Sequence, residues 1–178
     1  MLVKRSLVRH PASSGGEGLG VGVTVKREGE WLTLDYEVSG DTGGIRWPAP
    51  AAPARTDGLW QSTCFELFVK GDGEVYAEYN FAPTGQWAAY SFERYREGMR
   101  PIDMATAPEI ETEALGMRAK LRVDALPGKN RIGSAGVSAV IEMADGAKSY
   151  WALVHPKGKP DFHHPACFAL QLAAPDAA

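Results

Sequence analysis

The chain has 178 residues, a net charge of −3 and a sequence pI near 5.8. A chain of this length buries roughly 70% of its unfolded surface, enough for the single domain that we expect over residues 1–178. The acidic balance, without a basic stripe, argues against a nucleic-acid partner. The basic start MLVKRSLVRHP has no apolar run after it, and no stretch approaches the roughly 18 apolar residues of a membrane span. We therefore expect a cytoplasmic protein with no membrane partner.

The first part of the chain shows short alternating segments separated by turn residues. The 20 glycines and 12 prolines are spread throughout, and helical periodicity is hard to find, which predicts an all-β fold. Residues 6–10 predict a short strand, and residues 21–26 and 31–38 predict a hairpin. Residues 45–48 predict an edge strand that ends at a proline, and the Pro- and Ala-rich residues 49–57 predict an extended connector.

The centre of the chain, residues 58–92, contains three alternating runs at 64–70, 75–81 and 86–92. Turn residues separate them, so the pattern predicts an antiparallel meander. A register with Val69 opposite Val75 and Phe65 opposite Tyr79 pairs apolar with apolar side chains. A four-residue turn then places Phe81 opposite Gln86, which turns Ala88, Tyr90 and Phe92 toward the same core as Phe65.

The opposite face of this meander carries the polar side chains. In the predicted register Glu66 lies directly opposite Glu78, and facing like charges destabilise a sheet. A basic side chain, a bound cation, a shared proton or sugar hydroxyls could relieve that repulsion. Alternatively, this face is the inner face of a second packed sheet, with both glutamates paired to buried basic groups. The remaining members of the face are Cys64, Phe68, Tyr76, Asn80, Trp87, Ala89 and Ser91.

The last part of the chain begins with an irregular excursion at residues 93–108. A loop at 124–131 lies between the first two of four further strands, at 114–123, 132–143, 148–155 and 168–172. About ten strands in all predict two packed antiparallel sheets, a β-sandwich. Cys64 and Cys167 are the two cysteines, and in a reducing compartment we expect buried hydrophobic residues rather than a disulfide.

The segment 155–165, HPKGKPDFHHP, concentrates chemically active side chains in a loop. His155, His163 and His164 could bind a transition metal, but the adjacent pair cannot point the same way from an extended chain, and no metal-binding spacing accompanies them. A loop that presents His, Lys and Asp to hydroxyls or an anion is favoured over a metal site. A structural loop whose histidines bond nearby carbonyl groups is favoured over both.

Three segments carry a resemblance to a known family: DGLWQSTCFELFV, YAEYNFAPTGQWAAYSF and YWALVHPKGKPDFHHPACFALQL. They resemble bacterial DOMON-like proteins related to family 9 carbohydrate-binding modules, over most of the chain from Leu7 to Leu172. The resemblance implies a β-sandwich of immunoglobulin-like or jelly-roll character, whose relatives bind either sugar or haem. It places Glu66 on the strand that holds the acidic residue of the sugar-binding modules. For haem it implies His155 with Met143 or Met117 as axial ligands.

The leading hypothesis is a noncatalytic binding module for a carbohydrate or a sugar-like molecule. Aromatic faces would stack on the apolar side of a sugar ring while carboxyl and amide groups bind its hydroxyls. We expect no metal and no cofactor, since the calcium pattern of the related modules is not visible. The candidate ligand-binding residues are Trp60, Glu66, Tyr76, Glu78, Asn80, Trp87, His155 and His163.

Three alternatives remain open from the sequence. Opposed strand carboxylates lie near the roughly 5 to 5.5 Å separation of a retaining glycoside hydrolase, although the resemblance points away from an enzyme. A haem-binding redox domain is the second alternative, and a protein-interaction domain without a small ligand is the third. No nucleophile, base and orienting group occur at a recognisable spacing, so no catalytic residue is assigned, and the oligomeric state is open.

Overall fold

A computed structural model describes residues 1–127 and 133–172. The described chain is built from strands and short 3₁₀ turns, which confirms the predicted all-β class. No helix in these ranges is long and apolar enough to cross a membrane. The 3₁₀ turns are Thr42–Gly44, Leu59–Gln61, Val123–Ala125 and Pro165–Cys167. The strands are β1 (Leu2–Arg9), β2 (Leu19–Glu28), β3 (Trp31–Gly40), β4 (Cys64–Lys70), β5 (Tyr76–Phe81), β6 (Trp87–Phe92), β7 (Arg100–Pro101), β8 (Glu109–Glu113), β9 (Gly116–Arg122), β10 (Ser134–Glu142), β11 (Lys148–Ala152) and β12 (Leu170–Gln171).

All strand pairs are antiparallel and belong to one continuous sheet, where the sequence predicted two sheets of about ten strands. The order is β7-β6-β5-β4-β10-β11-β1-β2-β3-β9-β8, with β12 attached to β10. Strand β1 joins the two halves, because its first residues pair with β2 and its last two, Val8 and Arg9, pair with β11. One strand therefore carries the hydrogen-bonded ladder from one half of the sheet to the other.

The sheet curls so that its two halves enclose a single apolar core. Strict alternation on β2 and β3 sends Val23, Leu34 and their same-face neighbours inward, which confirms the predicted hairpin. They meet the inner face of β4, where the Tyr36 and Phe65 rings lie 4.8 Å apart. The Tyr36 hydroxyl also donates to the Glu66 backbone oxygen at 2.7 Å. This contact satisfies a buried hydroxyl and joins the two halves.

The central meander is confirmed, but its predicted register is wrong. Phe65 pairs with Phe81 and Val69 with Ala77, two residues away from the predicted partners. The Gly71 N–H donates to the Val75 oxygen, so a longer turn separates the strands and leaves Val75 outside the ladder. A shift of two residues keeps each side chain on its predicted face of β4 and β5.

The predicted orientation of β6 is reversed. Phe81 pairs with Trp87 rather than with Gln86, and this shift of one residue exchanges the two faces of the strand. Trp87 and Ala89 therefore lie in the main core, whereas Tyr90 and its same-face neighbours lie on the outer face. The Trp87 N–H donates to the Ala54 oxygen, and the Trp87 oxygen accepts the Thr56 N–H. Both partners belong to the connector at 49–57.

The outer face of β4, β5 and β6 supports a second, smaller apolar cluster. Phe68, Tyr76, Ala88, Tyr90 and Phe92 form it, and loop residues from 59–61 and 155–168 pack over it. Loops cover this face, so the alternative in which a second sheet covers it is wrong. Gly136 lies opposite Phe68, and a Cβ there would lie 3.0 Å from the Cys167 oxygen, so glycine lets the covering loop approach β10 closely.

The last predicted strands differ mainly at their ends. The strand predicted from 132 begins at Ser134, and Ile132 and residues 128–131 of the preceding loop lie outside the described residues. Residues 153–155, predicted as strand, lie beyond the end of β11. Cys64 and Cys167 are both buried and unbonded to each other, as expected for small hydrophobic residues.

Candidate ligand-binding site

A cavity of about 1030 Å³ opens on the outer face of the meander half of the sheet. Strands β4, β5, β6, β10 and β11 supply its floor, and the loops at 55–61, 96–101 and 160–163 supply its walls. Its volume lies at the upper end of the roughly 300–1,000 Å³ that is usual for small-molecule sites. The aromatic residues that line it are Trp60, Phe68, Tyr90, Phe92, Tyr150 and Phe162.

Trp60 is the most exposed of these rings. It lies in the 3₁₀ turn Leu59–Gln61, and 53% of its surface is open to solvent. An exposed tryptophan in a cavity wall offers a flat apolar surface with a hydrogen-bonding edge. The Pro-rich connector positions the turn, so this tryptophan lies at the mouth of the cavity rather than in the core.

Glu66 lies on the cavity floor in the middle of β4 and is 3% exposed. Its Oε2 atom accepts a hydrogen bond from the Ser138 hydroxyl on β10 at 2.9 Å. Burial and the neighbouring charge of Glu78 raise the pKa of Glu66 to about 8, although the Ser138 bond acts in the opposite direction. The Glu66 carboxyl is therefore mostly protonated at pH 7 and can both donate and accept a hydrogen bond.

Glu78 lies on β5, diagonally across from Glu66, because Glu66 pairs with Asn80 and Glu78 pairs with Phe68. The predicted direct opposition of the two glutamates is therefore wrong. Burial raises the pKa of Glu78, against the effects of the Asn80 hydrogen bond and the charge of Arg96. Relief of the repulsion thus comes from the proton that Glu66 retains at neutral pH.

Asn80 is fully buried beside the two acids. Its Nδ2 atom donates to Glu78 Oε1 at 2.8 Å, while its Oδ1 atom has no hydrogen-bond partner among the residues that the structure describes. A buried carbonyl oxygen without a donor costs free energy. Asn80 is not part of the cavity lining, so it acts on the site by holding the Glu78 carboxyl group.

His163 covers the aromatic cluster and faces Glu78. The Tyr76 hydroxyl accepts the Arg96 backbone N–H at 3.1 Å and is hydrogen-bonded to His163 Nδ1 at 2.8 Å. The other ring nitrogen of His163, Nε2, lies 3.7 Å from Glu78 Oε2. Burial and the charge of Arg96 lower the pKa of His163 to about 4, so this contact is not an ion pair at neutral pH.

The rim of the cavity contains charges that are already paired. Asp57 accepts hydrogen bonds from Arg55 at 2.9 Å and from the Tyr90 hydroxyl, and these two bonds lower the pKa of Asp57. Arg96 donates to Asp161 at 2.8 Å, and Lys148 Nζ donates to a backbone oxygen of the Trp60 turn. The charges at the rim therefore have partners of opposite charge or hydrogen-bond acceptors.

Six of the eight predicted site residues come together at this face. Trp60, Glu66, Glu78 and His163 line the cavity. Tyr76 and Asn80 hold His163 and Glu78 in place by hydrogen bonds. The sequence analysis assigned these six residues to one site. That they bind a ligand stays a prediction.

The other two predicted residues lie elsewhere. Trp87 is in the main core, so its predicted place on the polar face is wrong for the reason of register given above. His155 Nε2 bonds to the Val8 oxygen at 2.7 Å, and its ring lies 4.7 Å from the His10 ring. His164 accepts the Ala166 N–H and caps a 3₁₀ turn. His155 thus holds the loop to β1, whereas His164 holds the adjacent 3₁₀ turn.

The implied haem ligands do not meet at the cavity. Neither His155, Met117 nor Met143 lines it, and Met117 is 1% exposed in the main core. In the part of the chain that the structure describes, no group of three His, Cys, Asp or Glu side chains could hold a metal ion. These observations give no position for a haem or a calcium ion.

Several lining residues were missed from the sequence. Tyr90 and Phe92 were assigned to the core, and a five-residue connection between β5 and β6 would have placed them correctly. Arg55, Asp57 and Arg96 come from loops, where no periodic pattern predicts the direction of a side chain.

The fold and the site together define an all-β antiparallel protein with an aromatic, acid-floored cavity on one outer sheet face. A crystal structure from Bacteroides uniformis ATCC 8492, of a protein named for a proposed carbohydrate-binding role, is similar to this chain with a TM-score of 0.64. The identity is 16%, and the match covers 94% of this chain and 84% of that one. At this identity the likeness shows a shared fold. Searches of protein-family models and of curated sequences gave no match, so the DOMON-like relationship stays a prediction.

Proposed function

We propose that this chain is a noncatalytic module that binds a carbohydrate or a sugar-like small molecule in the cavity on the outer sheet face. The observation that carries the proposal is the arrangement of flat aromatic walls above a buried polar floor, in one open cavity of about 1030 Å³. A sugar ring has apolar C–H faces and a rim of hydroxyl groups, so it needs both kinds of surface at once.

The polar groups of the floor suit hydroxyl ligands. A protonated Glu66 both donates and accepts, and Glu78 adds a second carboxyl group to the cavity lining. Trp60 supplies a stacking surface at the mouth, where a ligand can reach it without a change in the core. The carbohydrate-binding role proposed for the Bacteroides protein of the same fold supports this proposal.

A thermal-shift screen against mono- and oligosaccharides, with haemin and calcium in the same plate, tests the proposal. A ligand at about a hundred times its Kd stabilises the folded chain by roughly 2.7 kcal/mol, which raises the melting temperature measurably. We expect a saccharide to give such a shift. A shift with haemin alone would favour a redox domain, and a stable dimer with no shift from any compound would favour a protein-interaction domain.

Substitution of Trp60 gives the sharper test. Trp60→Ala should weaken saccharide binding at least about tenfold, the equivalent of about 1.4 kcal/mol, by calorimetric titration. The variant should fold normally, since half of the side chain is already exposed. Trp31→Ala is the matched control, because Trp31 lies on β3 under Lys120 and outside the cavity lining. Equal losses in the two variants would contradict the proposed site.

We also propose that the protein releases the bound saccharide without chemical change. Incubation of the protein with the saccharide that it binds, followed by chromatography, should return the intact compound at every pH from about 4 to 9. Time-dependent fragments that disappear in Glu66→Gln would overturn the noncatalytic part and favour a glycoside hydrolase.

A further inference from the structure

The two buried glutamates differ from every other carboxylate around the cavity in their partners. Asp57 and Asp161 are each bonded to an arginine. Glu66 is bonded to the Ser138 hydroxyl and Glu78 to the Asn80 amide, both of which are uncharged. The carboxylates at the rim therefore have partners of opposite charge, whereas the two acids at the floor are hydrogen-bonded to neutral groups.

Among the described residues, no fixed cation offsets the charge of Glu66. The charge that acts on it is that of Glu78, which has the same sign. Arg96 acts on Glu78, but its guanidinium is bonded to Asp161. The other side chains that face the two acids are neutral at pH 7, because burial raises the pKa of the tyrosines and the thiol and lowers that of the imidazole. They are Tyr36, Cys64, Tyr76, Tyr90 and His163.

The hydrogen bonds of the two acids fit a ligand that donates. Asn80 is the Cα partner of Glu66 and donates to Glu78 Oε1, so it holds that carboxyl group beside Glu66. Asn80 itself is buried and is not part of the cavity lining. An ammonium group has three donors and no acceptor, which matches the acceptor atoms of two carboxyl groups.

The walls favour the same kind of ligand. Phe68, Tyr90 and Phe92 line the cavity around the acids. The faces of aromatic rings carry negative electrostatic potential and attract cations. A neutral saccharide would use the stacking surface but would leave the unbalanced acids protonated.

We infer that the ligand carries a protonated amino group, and that the site selects amino sugars over neutral sugars by placing this ammonium over Glu66 and Glu78. This inference rests on the proposed function, since the sugar ring is what the aromatic walls bind. On binding, a carboxyl group loses its proton to solvent, and the resulting carboxylate pairs with the ammonium. Binding and proton release are therefore linked.

Three oligosaccharides with the same linkage and length test this inference by calorimetric titration: oligomers of glucose, N-acetylglucosamine and glucosamine. They differ in one substituent, which is a hydroxyl, a neutral amide or an ammonium. An opposite charge near a carboxyl group changes its protonation equilibrium by roughly one to three pKa units, so the glucosamine oligomer should bind at least about tenfold more tightly than the other two. Equal affinities for the three oligomers, or a higher affinity for a neutral oligomer, would overturn the inference.

The dependence on pH provides a measurement on the unsubstituted protein. Below the raised pKa of Glu66, formation of the carboxylate requires proton release, so the glucosamine oligomer should bind about tenfold more weakly at pH 5 than at pH 6.5. Titrations in two buffers of different ionisation enthalpy at pH 6.5 should show net proton release. Absence of both effects would count against the ammonium pairing.

Glu66→Gln keeps the shape and the Ser138 hydrogen bond but removes the charge. We expect it to abolish the preference for the amine and to leave the binding of neutral oligomers within about threefold. Glu109→Gln is the control, because Glu109 is an exposed carboxylate on β8, paired with Lys120 and outside the cavity lining. An equal loss in Glu109→Gln would show that the amine responds only to the net charge of the protein.

Two further outcomes separate this inference from the proposed function. If neutral oligomers bind and the amine brings no advantage, the proposed function stands and the amino-sugar inference fails. If putrescine binds as tightly as the glucosamine oligomer, the ammonium pairing stands and the saccharide function fails. If no oligomer and no amine binds, both are overturned.

Discussion

The two faces of the β4–β6 meander use the same three strands for different purposes. The inner face, with Phe65, Leu67 and Tyr79 among others, is sealed against the opposite half of the sheet. The outer face carries two acids, an amide and a ring of aromatic side chains under loops that leave a cavity open. The inner face can be apolar throughout because another part of the sheet covers it. The outer face can hold titratable groups because loops, rather than strands, cover it.

The largest expected effect comes from the inner face. Leu67→Ala should lower the free energy of unfolding by about 2 to 5 kcal/mol, since it opens a space in a fully buried core. Chemical denaturation measures this change. Ligand affinity per folded molecule should be unchanged, and a selective loss of affinity would mean that the two faces are not separate.

The second effect, from the outer face, depends on pH. Folding raises the pKa of Glu66 from 4.5 to about 8, so the folded chain binds more protons than the unfolded chain between these values. The free energy of unfolding should therefore fall as the pH rises, by about 1.4 kcal/mol per unit and by about 2 kcal/mol from pH 6.5 to pH 8. Denaturation at several pH values should show this slope, and Glu66→Gln should flatten it. An identical slope in the variant would assign the titration to another group.

Below about pH 6.5, His163 acts in the opposite direction. Its folded pKa of about 4 lies below the ordinary 6.5, so protonation favours the unfolded chain as the pH falls through this interval. The contributions of Glu66 and His163 therefore offset each other between pH 4.5 and 6.5. Between pH 6.5 and 8, His163 no longer offsets the contribution of Glu66.

A smaller effect tests how the covering loop is held on the outer face. Tyr76→Phe removes the hydroxyl that is hydrogen-bonded to His163 Nδ1 and accepts from the Arg96 backbone N–H. We expect a loss of about 1 kcal/mol in the free energy of unfolding, typical of one hydrogen-bonded group. Nitrogen NMR of the imidazole should show the Nε2–H tautomer in the unsubstituted chain and a changed Nδ1 shift in the variant. An unaltered Nδ1 shift would argue against this bond.

The smallest effect should lie outside both faces. Glu109→Gln removes an exposed ion pair with Lys120 on the far half of the sheet, and we expect a change below about 0.5 kcal/mol. Chemical denaturation in parallel with Leu67→Ala gives the baseline for the comparison. A loss similar to that of Leu67→Ala would show that the far half is far more sensitive to surface charge than exposed pairs usually are.

The strands were largely predictable, because alternation on β2 and β3 follows from burial on one side, and polar side chains mark one face of β4 and β5. The faces of β6 were not, since Trp87, Ala88, Ala89 and Tyr90 are all buried. A strand buried on both sides has no alternation to indicate its orientation. The orientation of β6 then depends on the length of the connection from β5, and a difference of one residue in that length exchanges the two faces.

The site was predictable only where it coincided with strand alternation. Glu66, Glu78 and Asn80 follow from the pattern of β4 and β5, although their pairing does not. A two-residue change of register preserves every face, so apolar matching cannot distinguish the two registers. The actual turn leaves Val75 41% exposed, which no preference for apolar pairing predicts. The walls depend on loop geometry, which short-range sequence patterns do not determine.

The double pairing of β1 has a consequence for the order in which the chain folds. Val8 and Arg9 pair with Ala152 and Trp151, so β1 needs a partner that the ribosome makes long after β1 itself. Contacts between such distant residues form late, because closing a long loop costs entropy before any pairing repays it. Until then, the end of β1 is an unpaired edge on the nascent chain, open to pairing with a second molecule. Chaperone protection during synthesis should therefore matter most for this strand.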